Sequence, residues 1–315
     1  MNGDVGRPSL GTYLLLGLLA LIWGSSFILM KFGLFGRGGV GAAAVSGEVV
    51  MSGVQLGMLR MGLAGAVLLP VAVKGWRLLE RKDVGWLLLV GLGGSALPAL
   101  LFANAQTELP SAIAGMLNTL SPLFTLIFAA LLFGTRTTGR QLLGLALGFA
   151  GAAGLMTLHE VGGEIHLGAV IQIVAATALY GLSINVVRNR LGHRKPIWIA
   201  AYSLGAAAVP GWILTVWLGT GSQLMQHPDA ALAAGSILVL GVIGTAIALV
   251  LFNAIIQRST ALFASSVTYI IPIVAMAWGL LDGEYVGFQH LVFGAVILSG
   301  VRLIAKPLGG RGEAD

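Results

Sequence analysis

One pattern constrains this chain more than any other: stretches of about twenty apolar or small residues recur along its whole length with almost no charge inside them. A helix rises about 1.5 Å per residue, so each stretch matches the roughly 30 Å hydrocarbon layer of a bilayer. Ten such spans are read, at 12–34, 54–73, 84–105, 110–133, 139–158, 167–188, 196–218, 232–256, 260–281 and 285–305. Only 10% of the residues are charged, against about 25% in soluble domains. The expected class is an all-α membrane protein. The chain has no cysteine, which excludes disulfides, thiolate metal sites and cysteine nucleophiles. No metal-spaced histidine pattern or cofactor motif is seen, so no cofactor is expected.

The net charge of +6 sits in loops between the spans and so reports topology, not a nucleic-acid surface. Lys74, Arg77, Arg81 and Lys82 crowd one loop, and Arg188, Arg190, Arg194 and Lys195 another. If the spans alternate, these and Arg7, Arg136, Arg140, Arg258, Arg302, Lys306 and Arg311 share one side, 15 of the 18 basic residues. Lys31 and Arg37 lie towards the other side, with Glu48, Glu108, Glu160, Glu164, Asp229, Asp282 and Glu284. The positive-inside rule then places both termini in the cytoplasm. The long outer connection at 35–53 is read as a flexible Gly- and Ala-rich linker, with a partly inserted flap as the alternative.

Shifting the chain by 150 residues lays Gly91, Gly94, Ala96, Leu101, Phe102, Ala114 and Pro122 on identical residues at 241–272. Gly144 meets Gly294 at the same shift, and Trp23-Gly24 has a counterpart in Tyr180-Gly181. Each half then holds five spans. Five is odd, so the second half enters the membrane inverted, and Glu108 falls opposite Arg258 with the sign reversed. Inverted repeats are a transporter architecture that places substrate near the midplane, at the interface between repeats.

The segment Leu21-Ile22-Trp23-Gly24-Ser25-Ser26-Phe27 resembles the signature in the first helix of EamA-type members of the drug/metabolite transporter superfamily. The paired five-helix halves, each with a small-residue fourth helix around Pro122 or Pro272, resemble the paired repeats of that family over about residues 12–305. Gly283-Glu284 matches the opening of the last helix in many relatives, whereas the first half has Gly134-Thr135-Arg136 instead. The resemblance implies ten helices around a central cavity and export of small metabolites, including amino acids in the YddG-like branch. A drug exporter and a sugar-phosphate or nucleotide-sugar carrier are the alternatives within the superfamily.

The domain reading is a tail at 1–11, a first repeat at 12–158, an external linker at 159–166, a second repeat at 167–305 and a tail at 306–315. The candidate substrate-binding residues are Trp23, Ser26, Met30, Asn118, Ser121, Tyr180, Asn185, Asn253, Thr268 and Tyr269. Pro122 and Pro272 are candidate kinks: each lacks an N–H and frees the carbonyl four residues before it, on Asn118 or Thr268. Such groups are tolerated within a bilayer where protein or a watery cavity satisfies them. The competing reading of any one hydroxyl is glue between packed helices. Gly53-x-x-x-Gly57 and Gly144-x-x-x-Gly148 are read as close-packing motifs, internal or oligomeric. Arg60, about two turns into its span, is read as snorkelling or pairing structurally, with contact to a substrate carboxylate as the third option. Lys31 and His290 are given the same interfacial treatment. No carboxylate is placed at mid-membrane depth, so a carboxylate proton relay is not visible. The expected protein is a non-enzymatic exporter in a bacterial inner membrane. Its partners are a small molecule and the lipid bilayer, and it is expected to act as a monomer, a homodimer being the alternative. An intramembrane enzyme would need converging His, Ser or carboxylate groups, and a scaffold or sensor would be expected to carry an attached soluble domain.

Overall fold

The computed structural model describes residues 9–39, 49–135, 137–155, 159–160, 163–164 and 166–305. Both tails beyond these limits and residues 40–48 of the connection at 35–53, with its linker-or-flap question, lie outside the described residues. The described chain is helical apart from a two-residue antiparallel ladder, His159–Glu160 with Gly163–Glu164. Among the described residues, eight helices are long and apolar enough to cross a bilayer. They are α1 (Leu10–Phe35), α2 (Gly53–Lys74), α3 (Arg81–Ala105), α4 (Ser111–Phe133), α6 (Leu167–Arg190), α7 (Pro196–Trp217), α8 (Ala230–Arg258) and α9 (Phe263–Leu281). Two further apolar helices, α5 (Gly139–Leu155) and α10 (Phe288–Ala305), are shorter.

Local chemistry sets the ends. Ser52 caps α2 in a capping box: its Oγ accepts the Gln55 N–H at 3.2 Å, and Gln55 Oε1 accepts the Ser52 N–H at 2.8 Å. Gly36 ends α1 at φ 57°, where a side chain would be strained. Leu14, Leu69, Val216, Trp217 and Leu281 stay largely exposed on the outer faces, as lipid contact requires.

Four spans are irregular, and the irregularities fall in matching places. α4 breaks at Thr119–Leu120, between Ser111–Asn118 and Ser121–Phe133. α9 breaks through the 3-10 turn Ser266–Tyr269, between Ala261–Ser265 and Ile271–Leu281. Adding 150 to 111 and 121 gives 261 and 271, the first residues of the two later pieces. Pro122 and Pro272 stand just after the breaks, in the first turn of the resumed helix. α3 and α8 each carry a π-helical stretch, Leu89–Ala96 and Val242–Ile247. Ser95 Oγ donates to Val90 O at 3.2 Å, and Thr245 Oγ1 donates to Leu240 O at 2.8 Å. These hydroxyls take up carbonyls five residues back that the wider turn leaves available.

α2 lies along α7 and α5 along α10, while α1 packs on α8 and α9 and α6 on α3 and α4. Glycine allows the closest crossings. A Cβ on Gly24 would stand 2.5 Å from Val274 Cβ, and one on Gly181 would stand 2.6 Å from Thr125 N. The glycine of each aromatic-glycine pair therefore lets α1 meet α9, and α6 meet α4, at backbone distance. Gly144 faces Gly300, Gly53 faces Asn104 and Gly57 faces Leu100, so both glycine motifs pack internally.

Candidate substrate cavity

A cavity of about 130 Å³ lies among α1, α2, α3, α4, α6, α8 and α9. About 10–15 Å³ on this measure admits one water, so there is room for a solute of several heavy atoms. Trp23 is held by an Nε1–H bond to Gly244 O at 3.1 Å and packs edge-on against Phe252 at 4.9 Å. Phe27, Phe102 and Tyr180 continue the aromatic wall, with ring centres 6.0 and 5.9 Å apart in succession. Ser26, Met30, Asn118, Ser121, Asn253 and Thr268 also line the space.

The wall separates satisfied polar groups from open ones. Ser26, Ser121 and Thr268 donate to carbonyls of their own helices, at 3.0, 2.9 and 2.9 Å. The Ser121 bond takes up Asn118 O, so the carbonyl expected to stand free there is capped. By contrast, the Asn118 side chain makes no hydrogen bond to another described residue. Asn253 is 1% exposed and its Nδ2 has no partner among the described residues. Both amides are left to face the cavity.

Four of the candidate residues sit elsewhere. Asn185 donates from Nδ2 to Thr125 O at 2.8 Å and to Gly181 O at 2.9 Å, tying α6 to α4. Tyr269 turns away from the cavity, its hydroxyl donating to Val301 O of α10 at 2.7 Å. Pro122 and Pro272 shape the helix breaks without lining this space.

The structure buries both Arg60, read as snorkelling or pairing structurally, and Lys31, read as interfacial. Arg60 is 8% exposed and does not snorkel. Its Nε donates to Thr245 Oγ1 at 2.7 Å, Nη1 approaches Met30 Sδ at 3.7 Å and Nη2 approaches Gly244 O at 3.5 Å. Lys31 is likewise buried: its Nζ stands 2.5 Å from Asp282 Oδ2 and 3.0 Å from Glu284 Oε1. Glu284 also accepts the Ser111 and Ala112 N–H groups at 3.2 and 3.1 Å, at the N-terminus of α4. Asp282 and Glu284, read as loop charges, are thus drawn into a closed end of the bundle, and His290 is buried there too. Glu108 remains half exposed, with His166 Nδ1 at 4.0 Å. At the opposite end Arg188 donates from Nη1 to Ile256 O and Gln257 O at 3.1 and 3.3 Å. Arg188 is Lys31 shifted by 157, the shift that carries Trp23 to Tyr180.

The EamA-like transporter family model matches this chain twice, over residues 10–157 and 167–306. The chain belongs to the EamA-like transporter family. It is therefore a multi-pass membrane protein of a transporter family, and relatives carry names to match. A probable terminal-alkyne amino-acid exporter of Streptantibioticus cattleyicolor is 26% identical, over 95% of this chain and 95% of its own. The uncharacterized inner membrane transporter YedA of Escherichia coli is 26% identical, over 89% of this chain and 86% of its own. A probable amino-acid metabolite efflux pump of Escherichia coli is 23% identical, over 89% and 90%. A solved crystal structure shares the fold at TM-score 0.62 and 18% identity, covering 96% of this chain and 99% of its own.

Proposed function

We propose that this EamA-family chain is a secondary transporter exporting small metabolites, foremost neutral and aromatic amino acids, across a bacterial inner membrane by alternating access. The observation that carries the reading is the cavity: an aromatic wall, two open amides and a single buried cation, enclosed at the matched breaks and bulges of four spans. An aromatic wall with a few placed polar groups suits an amphipathic solute. The names of the amino-acid exporter and efflux-pump relatives agree with this substrate class.

Ten membrane helices in two inverted five-helix halves account for the regularities. The breaks and the two hydroxyl-plugged bulges repeat at one shift, and a single family model matches twice. The packing repeats as well: α1 on α8 and α9 answers α6 on α3 and α4, while α2–α7 and α5–α10 pair across the proposed axis. α5 and α10 complete the set as the fifth helix of each half. One chain encloses the cavity, so a monomer suffices.

The cavity wall runs from Met30 and Phe102 towards Val187, Ile256 and Ser265, at the end that carries Lys74, Arg188 and Arg258. By the positive-inside rule that end is cytoplasmic, with both termini. The outer end is shut by Lys31 between Asp282 and Glu284. A phosphate dianion is usually met by converging Arg or Lys, and Arg60 is the cation among the residues lining this cavity, which disfavours a sugar-phosphate carrier. The test is counterflow of labelled amino acids in proteoliposomes, beginning with aromatic ones, Thr and Met. Flux of an aromatic amino acid is the expected result. Flux of cationic dyes with no amino-acid flux would instead make the chain a drug exporter.

A further inference from the structure

A buried cation without a counter-ion is an unfinished site. A guanidinium carries five N–H groups; three of Arg60's have an acceptor here, one hydroxyl, one thioether and one distant carbonyl, which leaves two without one among the described residues. None of the three acceptors is a carboxylate, and Arg60 takes part in no ion pair among the described residues. Burial of an uncompensated charge is costly, and the cavity beside it is where the compensation has to come from.

The other half of the fold shows that the arginine is not a packing requirement. A Cβ on Gly241 would meet Leu63 Cβ at 2.8 Å and Arg60 O at 3.4 Å, and one on Gly91 would meet Ser203 O in the corresponding crossing of α7 with α3, since 91 plus 150 is 241. Matched by these backbone oxygens, the counterpart of Arg60 is Ser203, a small side chain hydrogen-bonded to Ile199 O in its own helix at 2.7 Å. The same crossing closes without a cation. The open polar group nearest the cytoplasmic side is again a donor, Asn253 Nδ2. Among the described residues, no Asp or Glu lines the cavity to meet an ammonium group.

We propose that Arg60 is the carboxylate anchor of the transport site, and that the site selects apolar or aromatic monocarboxylates whether or not they bear an α-amino group. This rests on the reading of the cavity as the transport site. The two free N–H groups of Arg60 take the carboxylate oxygens, Thr245 holds the guanidinium in place through Nε, and Asn253 donates to a second acceptor on the ligand. The aromatic wall covers the apolar part. The α-ammonium finds only neutral acceptors, such as the Asn118 amide oxygen, and contributes little. The chemistry recognised is thus that of a monoanion as well as a zwitterion: 2-hydroxy, 2-keto and N-acyl relatives of the same side chain fit the same contacts.

The test is ligand binding to purified protein in nanodiscs by calorimetry, with L-phenylalanine, 3-phenylpropionate and phenethylamine. These share the aromatic part and differ in charge. The expected result is that the first two bind and compete, and phenethylamine does not. Arg60→Gln, checked for an unchanged melting profile, should lose roughly ten- to a hundredfold in affinity for both carboxylates. Arg60→Lys should recover part of it, because the charge remains and the planar fork is lost. If L-phenylalanine binds and 3-phenylpropionate does not, or if phenethylamine competes equally, the anchor is overturned while the amino-acid reading stands. If folded Arg60→Gln keeps wild-type affinity for the carboxylates, the anchor is overturned likewise. If neither carboxylate binds and a cationic dye does, the amino-acid reading falls and the anchor with it. Should Arg60→Gln fail to assemble, the three-ligand series on the wild-type protein decides alone.

Discussion

Replacing Lys31 with methionine removes the cation that shuts the end proposed to face outward and leaves Asp282 and Glu284 facing each other without it. The side chains of Lys31, Asp282 and Glu284 are 7%, 7% and 4% exposed, so neither carboxylate recovers much hydration while the end stays shut. Breaking such a buried pair costs about 3–5 kcal/mol. The lower end applies here, because Glu284 keeps the Ser111 and Ala112 N–H groups at 3.2 and 3.1 Å. Opening the outer end hydrates both carboxylates and recovers that cost, so the variant favours the outward-open state by about 3 kcal/mol, roughly 160-fold in the equilibrium. The absence of cysteine makes the readout clean. With Ser26→Cys as the sole thiol, a membrane-impermeant maleimide added outside should label Lys31→Met more than tenfold faster than the parent. Lys31→Arg should label as slowly as the parent. Equal rates in Lys31→Met and the parent, with melting unchanged, would refute the idea that this ion cluster holds the outer end closed.

Three more predictions concern the cavity and the crossings that frame it. Asn118→Ala and Tyr180→Ala should cut transport severalfold while shifting the melting temperature little, since both face the cavity; normal transport by both would misplace the substrate. Gly24→Val and Gly181→Val should destabilise by about 1–3 kcal/mol or more, because the added carbons would sit 2.5 and 2.6 Å from Val274 and Thr125, and thermal melts with yields of folded protein check this. Asn185→Leu breaks one bond between α6 and α4 and one within α6 and should cost about 1–3 kcal/mol with ligand affinity retained, which melting curves and calorimetry read separately.

The long apolar runs made the spans legible, because hydrocarbon thickness leaves helices few alternatives, and the matched prolines marked the helix breaks. Eight of the candidate residues line one cavity for the same reason: Trp23 to Met30 and Asn118 to Ser121 follow helical spacing on faces that are not lipid-like. Asn185 and Tyr269 lie elsewhere because spacing fixes a face of a helix but not which neighbour meets it, and their partners Thr125 and Val301 sit on other helices. Arg60 and Lys31 failed to show their roles for a related reason. Snorkelling and local pairing are what a basic residue within or at the end of a span suggests by itself, whereas Thr245 and Asp282 lie 185 and 251 residues away in the chain. Thr245 had one sequence signal that went unused: shifted by 150 it falls on Ser95, a second hydroxyl in an otherwise apolar stretch.

The π-helical stretches of α3 and α8 also set an angular phase. Each wide turn carries one residue more than a regular turn would, so everything beyond it is rotated by about 100° relative to a straight α-helix of the same sequence. Phe102, beyond the stretch in α3, and Phe252 and Asn253, beyond the stretch in α8, reach the cavity in that shifted phase. A helical wheel drawn without the extra residue would point them at different neighbours. Deleting one residue within Leu89–Ala96 would restore a regular helix and swing Phe102 off the aromatic wall, leaving composition and hydropathy almost untouched. The ligand-facing surface of these two spans is therefore written partly in a residue count, which no single substitution can alter.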